Sequence, residues 1–331
     1  MNTKRWVALA IAVGLFFVSI VFQFTTNVAT TNFEETFSFW DREFEENVIE
    51  EGDFNERIAV LHVEGVIQDA STNDLMSSSA YNHKEFLEML QHAAMDNTVK
   101  GIILRVNTPG GGVVESAEIH DQIAEIQEEY EKPVYISMGN TAASGGYYIS
   151  APADKIVAHP ATVTGSIGVI MENINFGELA DDLGIDFNTI TSGEYKDIMS
   201  ATRDMTEEEF EILQTIIDEM YDDFVQVIAD GRGMDENEVR DLGDGRVYTG
   251  QQAHENGLVD DLGSMNDVIS MIQEDYDLQQ ASVIEYEANV GFSQYLMGAF
   301  KNTFGSDTDM LGLQELLRQS NAPSAMYLYT K

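Results

Sequence analysis

The sequence predicts an α/β fold with parallel strand pairing, on three observations. Short apolar runs recur along the chain, each ends in a turn of small residues, and each turn leads into a stretch of helical periodicity. Parallel strands need such crossovers, whereas an antiparallel meander would show turns alone.

The chain opens with Lys4 and Arg5, followed by Trp6 to Phe24 without a charge. At about 1.5 Å per residue, that length spans most of a bilayer core. Basic residues before it and Glu34 and Glu35 after it place the N-terminus inside and the bulk of the chain outside. A cleaved signal peptide is the rival reading, but its apolar core is normally shorter, and Asn27-Val28-Ala29 is a poor cleavage site. The expected organisation is a cytoplasmic N-terminus and transmembrane anchor over 1–28, then an acidic amphipathic linker or helix over 29–56. An extracytoplasmic domain over 57–320 and an apolar tail over 321–331 follow, in a single-pass protein of the cell membrane. Within the linker, Phe33, Phe37, Trp40, Phe44 and Val48 recur at helical spacing among acids. That stripe suits packing on the domain or on a neighbouring protomer.

Ile58–Val63 reads as a buried strand, and His83–Ala94 as a helix with Phe86, Leu87 and Leu90 on one face. Gly101–Val106 is a second strand, ending at Asn107-Thr108-Pro109 and then Gly110, Gly111 and Gly112. Glu115–Glu131 places Ile119, Ile123, Ile126 and Tyr130 on one helical side. Val134–Met138 leads to Ser144, and Lys155–Ala158 leads to Thr164-Gly165-Ser166. After a helix near Gly177–Leu183, Asp186–Ile190 reads as a strand entering Ser192-Gly193-Glu194-Tyr195-Lys196. The longest helix, Thr206–Asp230, carries Phe210, Leu213, Ile217, Met220, Phe224 and Ile228 as its core stripe, and glycines end it. Short helices fill Tyr248–Tyr276, and Ala281–Tyr286 is the last strand. Met326 to Tyr329 form an apolar tail that must dock somewhere.

The 331 residues carry 58 acidic against 17 basic side chains, a formal charge of −41. Such a balance excludes nucleic acid and anionic membrane surfaces as partners. The absence of cysteine removes disulfides and thiolate chemistry. No His-Glu-x-x-His run is present, so neither a metal nor a cofactor is expected.

Ser144 lies between small residues at a strand-to-helix corner, where a hydroxyl projects into a cleft; an ordinary tight turn is the plain alternative. A serine nucleophile needs a general base beside it. Of the six histidines, only His159 ends a strand near the glycine-rich turns. A lysine serves if it is desolvated enough to be neutral, and Lys196 lies in a loop of small residues, with Lys155 at a strand start. Gly110-Gly111-Gly112 before a helix offers free N–H donors for an oxyanion; a turn, or a cradle for phosphate or an acyl thioester, is its other reading.

Several motifs together resemble a known family. They are Asn107-Thr108-Pro109-Gly110-Gly111-Gly112, Ala142-Ala143-Ser144-Gly145-Gly146-Tyr147-Tyr148 and Thr164-Gly165-Ser166-Ile167-Gly168-Val169. Ser192-Gly193-Glu194-Tyr195-Lys196-Asp197, Gly231-Arg232-Gly233 and Gly245-Arg246-Val247-Tyr248-Thr249-Gly250 follow in order. In these the chain resembles the signal peptide peptidase A (SppA) family, in its short Gram-positive form. The resemblance implies a ClpP/crotonase-like superhelix of strand-strand-helix units. It implies a serine endopeptidase that degrades remnant signal peptides, apolar substrates met in the membrane, and a ring-like homo-oligomer. Ser144 would be the nucleophile, Lys196 the general base, Gly111 and Gly145 the oxyanion donors, and Ser166 the group that orients Lys196. Glu194 departs from the family's usual residue and sets an acid close to that base. A crotonase-type acyl-thioester enzyme and a non-catalytic membrane scaffold are the rival functions. The spacing of Ser144 and Lys196 within one repeated fold favours a site inside one protomer. The tail, extended and apolar, is expected to lie in the active-site groove as a mimic of substrate.

Overall fold

A computed structural model describes residues 44–69, 81–288 and 325–329. Contacts divide the chain into two compact units, 1–45 and 46–331, and the second holds the elements of interest. The expected anchor, with the linker as far as residue 43, lies outside the described residues. Among the described residues no helix is long and apolar enough to cross a membrane.

The core is a mostly parallel sheet. Its first strands are β1 (Phe44–Glu50), β2 (Asp53–Glu64) and β3 (Val99–Thr108), with β5 (Val134–Ala143) and β6 (Lys155–Ala158) further along. With β9 (Asp261–Leu262) and β10 (Ala281–Ala288) the spatial order is β1-β10-β2-β3-β5-β6-β9. β2, β3, β5 and β6 are parallel neighbours, in a register that sets Val60 by Ile103, Ile103 by Tyr135 and Tyr135 by Lys155. β7 (Val163–Gly165) pairs with the end of β5, and β8 (Val247–Thr249) pairs antiparallel with β7. Being buried on both faces, the central strands β3, β5 and β6 are largely apolar runs rather than alternating ones.

Ile58, Val60, Ile103, Tyr135, Val157 and Val283 point to one face. There they pack with Val268, Ile269 and Ile272 of helix α8 (Met265–Asp275). Helices α1 (His83–Met95) and α2 (Val113–Glu129) contact the sheet through Phe86, Leu90, Ile119 and Ile123, all buried. Each such side chain contributes about 1.5–3 kcal/mol on leaving water. α1 starts where the Asn82 side chain accepts from the Glu85 amide at 3.2 Å, a cap that satisfies one orphan donor.

The remaining helices are α3 (Gly145–Tyr148), α4 (Gly177–Asp182), α5 (Glu207–Arg232), α6 (Glu236–Leu242) and α7 (Gly250–Glu255). α5 begins with a reciprocal box between Thr206 and Glu209 and ends at Gly233, whose φ of 63° is left-handed.

Three expectations need correction. Residues 44–50, read as the end of an amphipathic helix and the linker after it, form β1, because pairing with β10 satisfies their backbone. Asp186–Ile190 is not a strand: no neighbouring strand pairs with it, and the segment is exposed throughout, Ile190 to 99%. The apolar stripe of α5 is fully buried only at Phe224 and Ile228; Leu213, Ile217 and Met220 are half-buried, and Phe210 is 59% exposed.

Candidate active site

β5 runs into Ser144 and stops there. The Ser144 amide donates to the Gly165 carbonyl at 2.7 Å, and its carbonyl accepts from the Tyr147 and Tyr148 amides at 2.8 and 2.9 Å. One residue therefore ends a strand and begins α3. The turn holds Ser144 at φ 54° and ψ −116°, a backbone state that costs about 1–3 kcal/mol and persists only where the surroundings enforce it. Tyr147 is one enforcer: it is fully buried, and its hydroxyl donates to the Leu258 carbonyl at 2.8 Å. Ser144 itself is 1% exposed.

The glycine run forms a short strand, β4 (Gly110–Gly112), rather than a free turn. One edge is covered by Ile67, whose amide donates to the Gly110 carbonyl at 2.9 Å and whose carbonyl accepts from the Gly112 amide at 2.8 Å. A Cβ on Gly111 would lie 1.8 Å from the Ile67 carbonyl oxygen, so only glycine permits this approach. Gly110 has φ +101°, and a Cβ there would sit 2.6 Å from the Gly145 nitrogen; one on Gly145 would sit 3.2 Å from the Gly111 nitrogen. The amides of Gly111 and Gly145 are thus neighbours beside Ser144.

The tail occupies the other edge of β4. β11 (Met326–Leu328) pairs antiparallel with it, with Tyr327 opposite Gly111. Met326 exchanges both backbone hydrogen bonds with Ile170, at 2.9 and 3.0 Å. Because strand polar groups alternate sides, Tyr327 must turn its own N–H and C=O toward Gly111. The Tyr329 amide, donating to the Pro109 carbonyl at 2.8 Å, continues that alternation. The Tyr327 carbonyl oxygen is so close to Gly110 that a Cβ there would lie 2.0 Å from it. The Tyr327 carbonyl oxygen and the Gly145 nitrogen thus both lie against Gly110.

The Tyr327 side chain fills an aromatic pocket and is fully buried. Its ring stacks on Tyr148 at 4.9 Å and meets Phe224 at 4.6 Å, and its hydroxyl donates to the Met220 carbonyl at 3.1 Å. The Tyr148 hydroxyl donates to Asp223 at 2.9 Å. Burial, then that hydrogen bond, raises the Tyr148 phenol well above its ordinary range, so it stays a donor.

Ser166 follows Gly165, the acceptor of the Ser144 amide, and is held at φ 52° with its amide donating to the Arg246 carbonyl at 2.8 Å. The structure therefore gathers Ser144, Gly111, Gly145 and Ser166. No hydrogen bond joins Lys196 to them among the described residues. Lys196 is exposed in a run of turns, and its ammonium has no hydrogen bond or ion pair among the described residues. The alternative bases are elsewhere. Lys155 pairs with Asp275 at 2.6 Å and sits opposite Tyr135, about 30 Å along the strand from Ser144. His159 is exposed and accepts from the Ala161 amide at 3.1 Å. Ile170 and the Tyr148–Phe224 pocket escaped the sequence reading, because only docking of the tail reveals them as a groove.

The profile of peptidase family S49 matches residues 126–279, a stretch that holds Ser144, Ser166 and Lys196. A protein of Enterococcus faecium named "Putative signal peptide peptidase SppA" is 40% identical over 343 aligned residues, covering 99% of both chains. The chain belongs to peptidase family S49. Protease 4 of Haemophilus influenzae is 35% identical across 69% of this S49 chain and 36% of its own length. The chloroplastic serine protease SPPA of Arabidopsis thaliana is 28% identical across 79% of this chain and 39% of its own. The S49 protein is accordingly a serine peptidase, and its parallel-sheet architecture is consistent with that family's fold.

Proposed function

We propose that this peptidase is a membrane-anchored endopeptidase that degrades remnant signal peptides through a Ser144–Lys196 dyad. The observation that carries the reading is the tail strand, seated antiparallel on β4 with the Tyr327 carbonyl against Gly111 and Gly145. A groove that takes an extended apolar segment in this way takes a peptide substrate by strand addition. The fold would be of the ClpP/crotonase type.

In this mechanism Ser144 Oγ attacks the scissile carbonyl while Lys196 takes its proton. The Gly111 and Gly145 amides stabilise the oxyanion. Collapse breaks the C–N bond, and Lys196 returns the proton to the leaving amine. Water then attacks the acyl-enzyme by the same proton route and frees Ser144. Ser166, beside Gly165, would orient the lysine. A lysine serves as a base only when desolvated, so the exposed Lys196 would need to be covered before it works. Exposed Ile174, Leu179, Leu183, Phe187, Ile190 and Phe210 surround its stretch of chain, an apolar expanse suited to burial against a second copy. Ring assembly would then complete the site across protomers. The Trp6–Phe24 anchor would hold it at the membrane where the peptides remain.

The test is hydrolysis of a synthetic signal peptide by the full-length protein in lipid vesicles, with products identified by mass. Cleavage after apolar or aromatic residues supports the reading, and a preference for basic residues there sinks it. A second expected result concerns the tail. A tethered strand at ~1 mM effective concentration and ~100 µM affinity blocks the groove about tenfold. Truncation after Ser324 should therefore raise kcat/KM for a short fluorogenic peptide by about that factor; unchanged kinetics would exclude occupation in solution.

A further inference from the structure

The turn that carries Lys196 is fastened to the first turn of α5 through a single guanidinium. Arg203 donates from Nε to Asp197 Oδ2 at 3.0 Å and from Nη2 to Asp197 Oδ1 at 2.8 Å, and Nη2 also reaches the Asp197 carbonyl at 3.2 Å. Its other edge grips Glu209, with Nη1 to Oε2 at 2.8 Å. Glu209 is 2% exposed and also accepts from the Thr206 amide at 2.9 Å. On the other side of Lys196, Tyr195 lies near Glu208. Asp197, next to Lys196, is thus tied to the start of α5, while Lys196 itself is left unengaged.

We propose that Arg203 is the positioning residue of the general base, holding the Lys196 turn against α5 and balancing the carboxylates around it. The proposal rests on the reading of Lys196 as that base. Its first part is geometric. A lysine on a flexible four-carbon stem delivers its nitrogen to one point only if its backbone is fixed. A planar fork that bridges two carboxylates and a carbonyl fixes it better than a single ammonium would. Its second part is electrostatic. Asp197 and Glu209 are the carboxylates that the guanidinium bonds beside the Lys196 turn. Arg203 sits between Asp197 and Glu209 and offsets them. The Arg203 bond, followed by the Thr206 amide, holds the Glu209 carboxyl down to about 2, so this carboxylate is charged wherever the enzyme works.

The test compares full-length Arg203→Gln, Arg203→Lys and Lys196→Ala proteins and the Lys196→Ala/Arg203→Gln pair, with a fluorogenic apolar peptide across pH. Arg203→Gln should lower kcat about 100-fold with KM within about twofold, as expected for a base displaced by about 1 Å. It leaves Asp197 and Glu209 unbalanced, so the rising limb of the kcat profile should move to higher pH. Arg203→Lys keeps the charge and loses the fork, so its limb should stay in place while kcat still falls. The double variant should be no slower than Lys196→Ala. Parental kcat and pH profile in both Arg203 variants, or a double variant far below Lys196→Ala, would overturn the proposal. If Arg203→Gln does not fold, Arg203→Lys decides alone by the same criteria. An active Lys196→Ala protein would instead refute the base assignment, so the two failures are distinct.

Discussion

Ser144→Ala is expected to reduce kcat/KM by about 10⁴-fold or more and to abolish labelling by a fluorophosphonate. The mechanism routes every turnover through Ser144 Oγ, and alanine leaves only the amide donors and the groove. Lys196→Ala should reduce it comparably, because a serine hydroxyl without a base is a poor nucleophile at neutral pH. The two losses should not add: the double variant should match the slower single one. Thermal unfolding is the control, since a buried Ser-to-Ala change removes no bond that holds the corner. Retained turnover in Ser144→Ala, with folding intact, would remove the serine from the mechanism.

Gly110→Ala is expected to be nearly as damaging for a different reason. At φ +101° a Cβ is strained, and it would lie 2.6 Å from the Gly145 nitrogen and 2.0 Å from the oxygen of the resident strand. On the proposed mechanism the methyl group would occupy the ground where substrate carbonyl and oxyanion donors meet. Loss of one donor costs about 10²–10³ in kcat, and a displaced strand disturbs both. A fall of about 10³-fold is therefore expected, with about 1–3 kcal/mol lost in stability. Gly184→Ala separates strain from collision: its φ is +72° but nothing lies within 4 Å of the added carbon. That variant should lose stability and keep its turnover. Equal turnover losses in the two would show that strain alone, and not the site, explains Gly110.

The sheet was legible because β2, β3, β5, β6 and β10 are apolar runs bounded by turn residues, and burial on both faces demands such runs. Ser144 was legible because only small residues fit where β5 breaks into α3. The glycines were legible as a tight glycine-rich turn but not as a strand, since β4 exists only through Ile67 on one edge and Met326–Leu328 on the other. Asp186–Ile190 shows the limit of local composition: a stretch suited to a strand forms one only where a neighbour offers pairing. The half-exposed stripe of α5 makes the same point for helices. Periodicity marks which residues share a face, and says nothing of whether this chain or another molecule covers it. Lys196 was legible by position alone, and its exposure follows from packing that spans distant segments.

The pairing of β2 has a consequence for how the chain comes to be folded at all. β2 lies between β3, which follows it closely, and β10, from the far end of the described domain, with Ile58 set opposite Val283. Such a sheet has no early half that closes on its own. While the intervening chain is being made, the β10-facing edge of β2 is an open template for any other strand. Closure across so long a loop is slow. Nascent chains are therefore exposed to mispairing until β10 emerges, and Arg57 and Glu64 place charges along β2 that discourage it.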